Sequence, residues 1–131
     1  MKIPQIIFAG GLLVLVVLLL TPRQYAPAYN ADDEVRLHGV VEDVKVFYCP
    51  ISRDEGTHLT VTTEMGKVQV HVAPSRFLTS RQWQFAVGDQ VEVVGSKVIY
   101  EGHDAVIARA VARGNQTVAV RRANGKPLWN E

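Results

Sequence analysis

The chain has 131 residues, a formal net charge of +1 and a single cysteine, Cys49. About 100 residues follow a hydrophobic leader, which is enough for one domain with a modest core and too few for two. A dedicated nucleic-acid binder is strongly basic because its affinity comes largely from neutralising phosphates, so this charge balance argues against that class. One cysteine excludes an internal disulfide and a multi-cysteine zinc site, and it is expected to be a buried, small apolar side chain.

The amino-terminal segment is an almost uninterrupted apolar run over residues 3–20. Eighteen helical residues would span about 27 Å, close to the hydrocarbon thickness of a bilayer. Residues 1–22 are therefore interpreted as a transmembrane anchor or a signal segment, and residues 23–34 as an extended linker. An uncleaved anchor is favoured because the run is longer than an ordinary signal core, whereas the alternative is a signal peptide cut after the small-residue pair Ala26 and Ala28.

The domain over residues 35–131 begins with strand-like alternation. In VRLHGVVEDVKVFY the apolar positions run from Val35 to Val41, and then shift by one residue to Val44, Val46 and Tyr48. Such a slip predicts a β-bulge in a long first strand. Two further alternating runs, separated by EMGK, predict a hairpin, and Met65 and Gly66 are taken as its two loop residues.

After the hairpin, Pro74 and Ser75 are expected to start a short helix that buries Phe77 and Leu78. FAVGDQVEVVGSKV and AVIARAVA then supply a fourth and a fifth strand, with Gly95 allowing the fourth to coil where a barrel closes. The tail adds a short strand and Trp129, which is expected to cover an open end. The order of three strands, one helix and two strands predicts an all-β, five-stranded, OB-fold-like Greek-key barrel, preceded by a single hydrophobic helix.

The segments VQVHVAPSRFL, FAVGDQVEVVGSKV, AVIARAV and VRRANGKPLW together resemble a widespread group of small exported bacterial proteins with one OB-like domain. Some of these relatives are associated with magnetosomes. The resemblance spans about residues 36–129, and it implies an extracytoplasmic binding or accessory domain without an established reaction.

The periplasmic haem chaperones of cytochrome c maturation share the outline of one anchor and an exported OB barrel. They attach haem through a histidine in a short His-to-Tyr motif after the last barrel strand. The corresponding RGNQTVAV segment has neither residue, which argues against haem carriage, and no other cofactor is expected.

No catalytic motif is recognisable in the sequence, and the carboxylates fall in turns and outward strand positions, so a non-catalytic protein is expected. Two histidines stand out in the predicted hairpin. With the loop at Met65 and Gly66, His58 and His71 become diagonal neighbours about 7 to 8 Å apart between α-carbons. They either share a soft or borderline metal ion, with Met65 or Cys49 as a third donor, or are exposed polar side chains on the outer face.

Charge is divided along the chain, with a net −5 over residues 32–64 and +4 over residues 65–131. An acidic protein partner is therefore expected to meet the basic side of the domain. The side chains expected to make this contact are Arg109, Arg113, Arg121 and Arg122.

The expected function is a binding or accessory domain on the periplasmic side of a bacterial cytoplasmic membrane, held by its leader and serving other membrane or periplasmic proteins. A cleaved, periplasmic form is the alternative location. A metal or small-ligand carrier using His58 and His71 is the second functional hypothesis, and oligosaccharide or nucleic-acid binding is the third. The strands expected to bind nucleic acid carry no aromatic side chain on their outer face, which argues against that ligand.

Overall fold

The computed structural model describes residues 26–131. The hydrophobic run, and with it the choice between anchor and signal segment, lies outside these residues. Within residues 26–131, no helix is long and apolar enough to cross a membrane.

β-Strands are the main regular structure of the described part, as the alternating apolar pattern predicts. One short α-helix, α1, covers Ser75–Ser80, and single turns of 3₁₀-helix cover Ala31–Asp33 and Leu128–Asn130. The strands are β1 (Glu34–Cys49), β2 (Asp54–Thr63), β3 (Gly66–Pro74), β4 (Gln90–Tyr100), β5 (His103–Arg113) and β6 (Gln116–Ala119).

The sheet order is β3-β2-β1-β4-β5-β6, and β3 also pairs with β5 in parallel. This extra pairing closes β1 to β5 into a barrel-like ring in which all the other pairings are antiparallel. The sheet has six strands rather than the five predicted for the barrel. The sixth is the short strand of the tail, which pairs with β5 outside the ring.

Two irregularities that the sequence predicts are confirmed, and both let long strands bend around the ring. The register of β1 against β2 shifts between Val41 and Asp43. The register of β4 against β5 shifts between Val94 and Gly95. β1 can therefore pair with β4 through its first half and with β2 through its second.

The register of the β2–β3 hairpin differs from the predicted one by two residues. Thr63 pairs with Gly66, so the loop residues are Glu64 and Met65. Gly66 has a φ of +117°, a conformation that glycine adopts readily, and this places it at the end of the loop rather than inside it. The shift moves every facing pair along the hairpin, including the two histidines.

The hydrophobic core combines aliphatic side chains from all six strands with aromatic side chains from the helix and the tail. Phe77 and Leu78 of α1 are buried, as predicted. Trp129 is also buried, and its ring lies 6.2 Å from that of Phe77 between centroids. The expectation that Trp129 folds back onto the domain is confirmed.

The expected linker is not extended over its last residues. Asn30 donates its backbone N–H to the Ser96 hydroxyl at 3.0 Å, and the Tyr29 hydroxyl donates to Glu34 at 2.7 Å. The Tyr29 ring lies against Gly125, where a side chain would collide with it. Apolar and hydrogen-bonded contacts of Tyr29 and Asn30 therefore attach this part of the chain to the domain.

Candidate metal centre

Three potential metal ligands meet on the outer face of the sheet. Cys49 ends β1, His58 lies in β2 and His71 in β3, and one ligand atom from each lies within 4.8 Å of the others. Each of the three residues is only 3% exposed. Their strand neighbours Leu59 and Val70 point into the barrel core, so alternation directs the histidines to the opposite face.

The corrected hairpin register brings the two histidines directly opposite one another rather than onto a diagonal. Their ring centroids are 4.7 Å apart, with the rings at 83°. Of the two third donors considered, the structure supplies Cys49. Met65 is 96% exposed at the hairpin loop, about 17 Å away along the strands.

Hydrogen bonding fixes the role of each nitrogen of His58. Nδ1 lies 3.1 Å from the carbonyl oxygen of Gly56, which can only accept, so Nδ1 carries the proton and donates. Nε2 therefore carries no proton and has a lone pair that could bind a metal ion. This nitrogen is buried without a hydrogen-bond partner. A ligating histidine is typically held in this way, with one nitrogen bound to a backbone carbonyl and the other directed at the ion.

His71 adds a second unsatisfied ring nitrogen. Its Nδ1 lies 3.5 Å from Sγ of Cys49, and its Nε2 is buried without a partner. Buried polar atoms nearly always have hydrogen-bond partners, because leaving one unpaired costs about 1 to 3 kcal/mol. A bound ion or water molecule would satisfy these two ring nitrogens, which share one cluster.

Burial keeps both imidazoles in the form that binds metals. Desolvation lowers the pKa of His58 to about 4. The pKa of His71 is also lowered to about 4, by desolvation first and then by charge repulsion from His58. Both rings are consequently neutral at ordinary pH.

Aromatic and aliphatic side chains enclose the cluster. The Phe47 ring stacks on His58 at 3.8 Å between centroids, and the Tyr100 ring meets His71 edge-on at 4.6 Å. Ile107, 1% exposed, pairs with His71 across the β3–β5 junction. A Cβ on Gly56 would lie 3.1 Å from Cβ of Cys49, so glycine there lets the two strands approach.

The two histidines lie on the outer face of the hairpin, as predicted. The expectation that they are exposed there is wrong, because both are buried. The sequence also predicts Val46 and Tyr48 as inward residues, whereas they are 50% and 65% exposed. Phe47 and Cys49, at the alternate positions of β1, cover the histidines instead. One feature of the sequence could have indicated this cover: Phe47 and Cys49 are two residues apart and so share a face of β1.

The four predicted partner-binding arginines do not form one free basic patch. Arg109 makes a two-bond pair with Glu34, Arg113 contacts Asp89 at 2.9 Å, and Arg122 pairs with Glu131. Arg121 is 8% exposed, donates to the Gly125 carbonyl and lies over the Trp129 ring. Recognition of an acidic partner through these side chains stays a prediction.

Residues 33–118 match the model of the MamS/MamX magnetosome protein family. The chain belongs to this family. The matched MamS/MamX region contains Cys49, His58 and His71 together with Arg109 and Arg113, and it ends before Arg121. No curated protein matches the chain.

Two solved structures resemble this MamS/MamX domain. The S. pombe Stn1-ten1 complex aligns with a TM-score of 0.50 at 14% identity, over 63% of this chain and 59% of that one. The asparaginyl-tRNA synthetase of Pyrococcus horikoshii, complexed with asparaginyl-adenylate, gives 0.48 at 18% identity, over 76% of this chain and 24% of that one. At such identities the first likeness supports the OB-like fold alone.

Proposed function

We propose that this MamS/MamX domain is a non-catalytic accessory domain that holds one transition-metal ion through Cys49, His58 and His71. The observation that carries the proposal is the pair of buried, unpartnered ring nitrogens beside a buried thiol. Neutral imidazoles and a thiolate suit soft and borderline ions such as copper and zinc. The ring of apolar side chains around the cluster would keep water from competing with these ligands.

The proposal includes a location. The hydrophobic leader would hold the domain at the extracytoplasmic face of a bacterial cytoplasmic membrane, or be cleaved to release it to the periplasm. Support comes from the length of the apolar run at residues 3–20. The domain would receive its ion from, or deliver it to, other membrane or periplasmic proteins.

Metal retention by the full-length chain, purified in detergent without an affinity tag, tests the site. Separate samples are loaded with Zn(II) or anaerobically with Cu(I), desalted and analysed for metal. The wild type is expected to retain about one equivalent of at least one ion. Cys49→Ser, His58→Leu and His71→Leu each remove a ligand and should weaken binding at least about 100-fold, since loss of an outer-shell contact already costs 10- to 100-fold.

The matched control is a double substitution of the exposed histidines, His38→Gln with His103→Gln, which should retain the wild-type amount. Tryptophan fluorescence establishes that each variant is folded. Failure of the wild type to retain either ion, or retention that all three ligand substitutions leave unchanged, would overturn the proposal.

Contact with an acidic protein through the arginine-bearing side is the second candidate function, supported by the net +4 charge of residues 65–131. Arg122 is the informative position because it is exposed, whereas charge reversal at buried Arg121 would also disrupt packing on Trp129.

A further inference from the structure

We infer that the ion held by Cys49, His58 and His71 is monovalent copper, Cu(I), in preference to zinc. This inference rests on the proposed function and assigns the ion to the same site. Two features of the cluster favour Cu(I) over zinc, namely its charge and its number of donors, and its donor types suit both ions.

The charge of the site matches a monovalent ion. Cys49 is the one donor of the cluster that becomes anionic, because both histidines bind as neutral rings. A thiolate, two imidazoles and Cu(I) sum to zero, whereas the same ligands around Zn(II) leave a net charge of +1. An uncompensated charge in an apolar enclosure is costly, and all three ligand residues are buried.

No carboxylate of the described residues joins the cluster to cancel that charge. The group of metal-binding side chains found there contains Cys49, His58 and His71 and no aspartate or glutamate. Tyr100 packs against His71 with its ring edge-on, at 4.6 Å between ring centroids.

The number of donors also favours Cu(I). Zinc in proteins almost always has four ligands, with a water molecule completing the set where the protein supplies three. Cu(I) is stable with three. In this cluster the Phe47 ring covers one face of His58 and the Tyr100 ring lies edge-on against His71. No fourth histidine, cysteine, aspartate or glutamate of the described residues joins the three.

The donor types agree with this assignment. A thiolate is a soft ligand that selects Cu(I) or zinc over harder ions such as Mg(II) and Ca(II), and imidazole accepts either of the first two. The charge and the coordination number then decide between them.

Competition titrations of the full-length, untagged chain measure the preference. Cu(I) is titrated anaerobically against bicinchoninate, and Zn(II) against a chromogenic zinc chelator, at the same pH. The expected result is one equivalent of each at most, with Cu(I) bound at least about a thousandfold more tightly than Zn(II). Cys49→Ser should lose most of the Cu(I) affinity, while the double variant His38→Gln with His103→Gln should keep it.

The outcomes separate this inference from the proposed function. Zinc bound as tightly as Cu(I) by the wild type, and lost in Cys49→Ser, would overturn the copper assignment and leave a metal site at these residues. Failure of the wild type to bind either ion would overturn both. Cu(I) bound equally by wild type and Cys49→Ser would place copper elsewhere and contradict the inference.

Discussion

The metal-free protein is expected to lose stability steeply between about pH 6.5 and pH 4, because His58 and His71 resist protonation only while folded. The pKa of each is lowered to about 4 by burial, against an ordinary value of 6.5. In that window the unfolded chain binds protons that the native chain does not, so the free energy of unfolding falls as pH falls. The expected loss is about 2 kcal/mol per histidine.

Other titrations act at lower pH. The paired carboxylates, including Glu34 and Asp89, have pKa values below their ordinary 4.5 and 3.8, so their contribution is present above those values and is lost as acid protonates them in the folded state. Urea unfolding of the full chain in detergent and chelator, followed by tryptophan fluorescence from pH 7 to pH 4.5, is therefore governed mainly by the histidines.

Two variants check the assignment of this pH dependence. A double variant, His58→Leu with His71→Leu, should lose most of the slope whatever its stability at pH 7. The exposed pair, changed together as His38→Gln and His103→Gln, should keep the wild-type slope. A wild-type stability that is flat from pH 6.5 to pH 4.5 would contradict the buried, neutral state of the two rings.

Gly95→Ala is expected to destabilise the fold by about 3 kcal/mol or more. A Cβ at this position would overlap the carbonyl oxygen of Ile107 and lie 2.7 Å from Cγ1 of Val106. Backbone atoms of β5 cannot move away without breaking the β4–β5 register. The loss of unfolding free energy should therefore reach the upper end of the range seen when a core is overpacked. Thermal or urea unfolding at neutral pH measures the change in free energy.

Gly114→Ala is the matched control for Gly95→Ala. Gly114 has a φ of +61°, and a Cβ there meets nothing within 4 Å. The added methyl group should therefore cost only the left-handed backbone strain, about 1 kcal/mol. Equal losses for the two variants would show that close approach at Gly95 does not hold β4 against β5.

Much of the fold follows from local pattern. The slip after Val41 and the break at Gly95 predict the two bulges, because a single extra residue reverses which face the following side chains occupy. The short helix follows from Pro74 and Ser75 at the end of an alternating run. The sequence also predicts the short strand of the tail, but a four-residue run does not reveal its partner, so the pairing of β6 with β5 that makes the sheet six-stranded was not predicted.

The site was predicted only in part. His58 and His71 share a face by alternation, but their distance depends on the hairpin loop, where EMGK allows more than one two-residue choice. The β1–β2 pairing places Cys49 opposite Asp54 rather than His58. Cys49 and the His58 ring instead meet over Gly56, where a Cβ would lie 3.1 Å from Cβ of Cys49 and 3.4 Å from Cε1 of His58, and strand alternation alone does not predict this contact. Phe47 and Tyr100 cover the histidines because the ends of β1 and β4 extend beyond the closed ring of strands. The alternation of apolar residues does not show how far a strand extends.

X-ray absorption at the copper edge of the Cu(I)-loaded, full-length protein tests the central claim most directly. A copper ion held by Cys49, His58 and His71 should show one sulfur and two imidazole nitrogens in its inner shell. The Cys49→Ser variant, loaded identically, should lack the sulfur. A wild-type spectrum that shows no sulfur neighbour would contradict the assignment of these three residues as a metal centre. So would a spectrum that the Cys49→Ser substitution leaves unchanged.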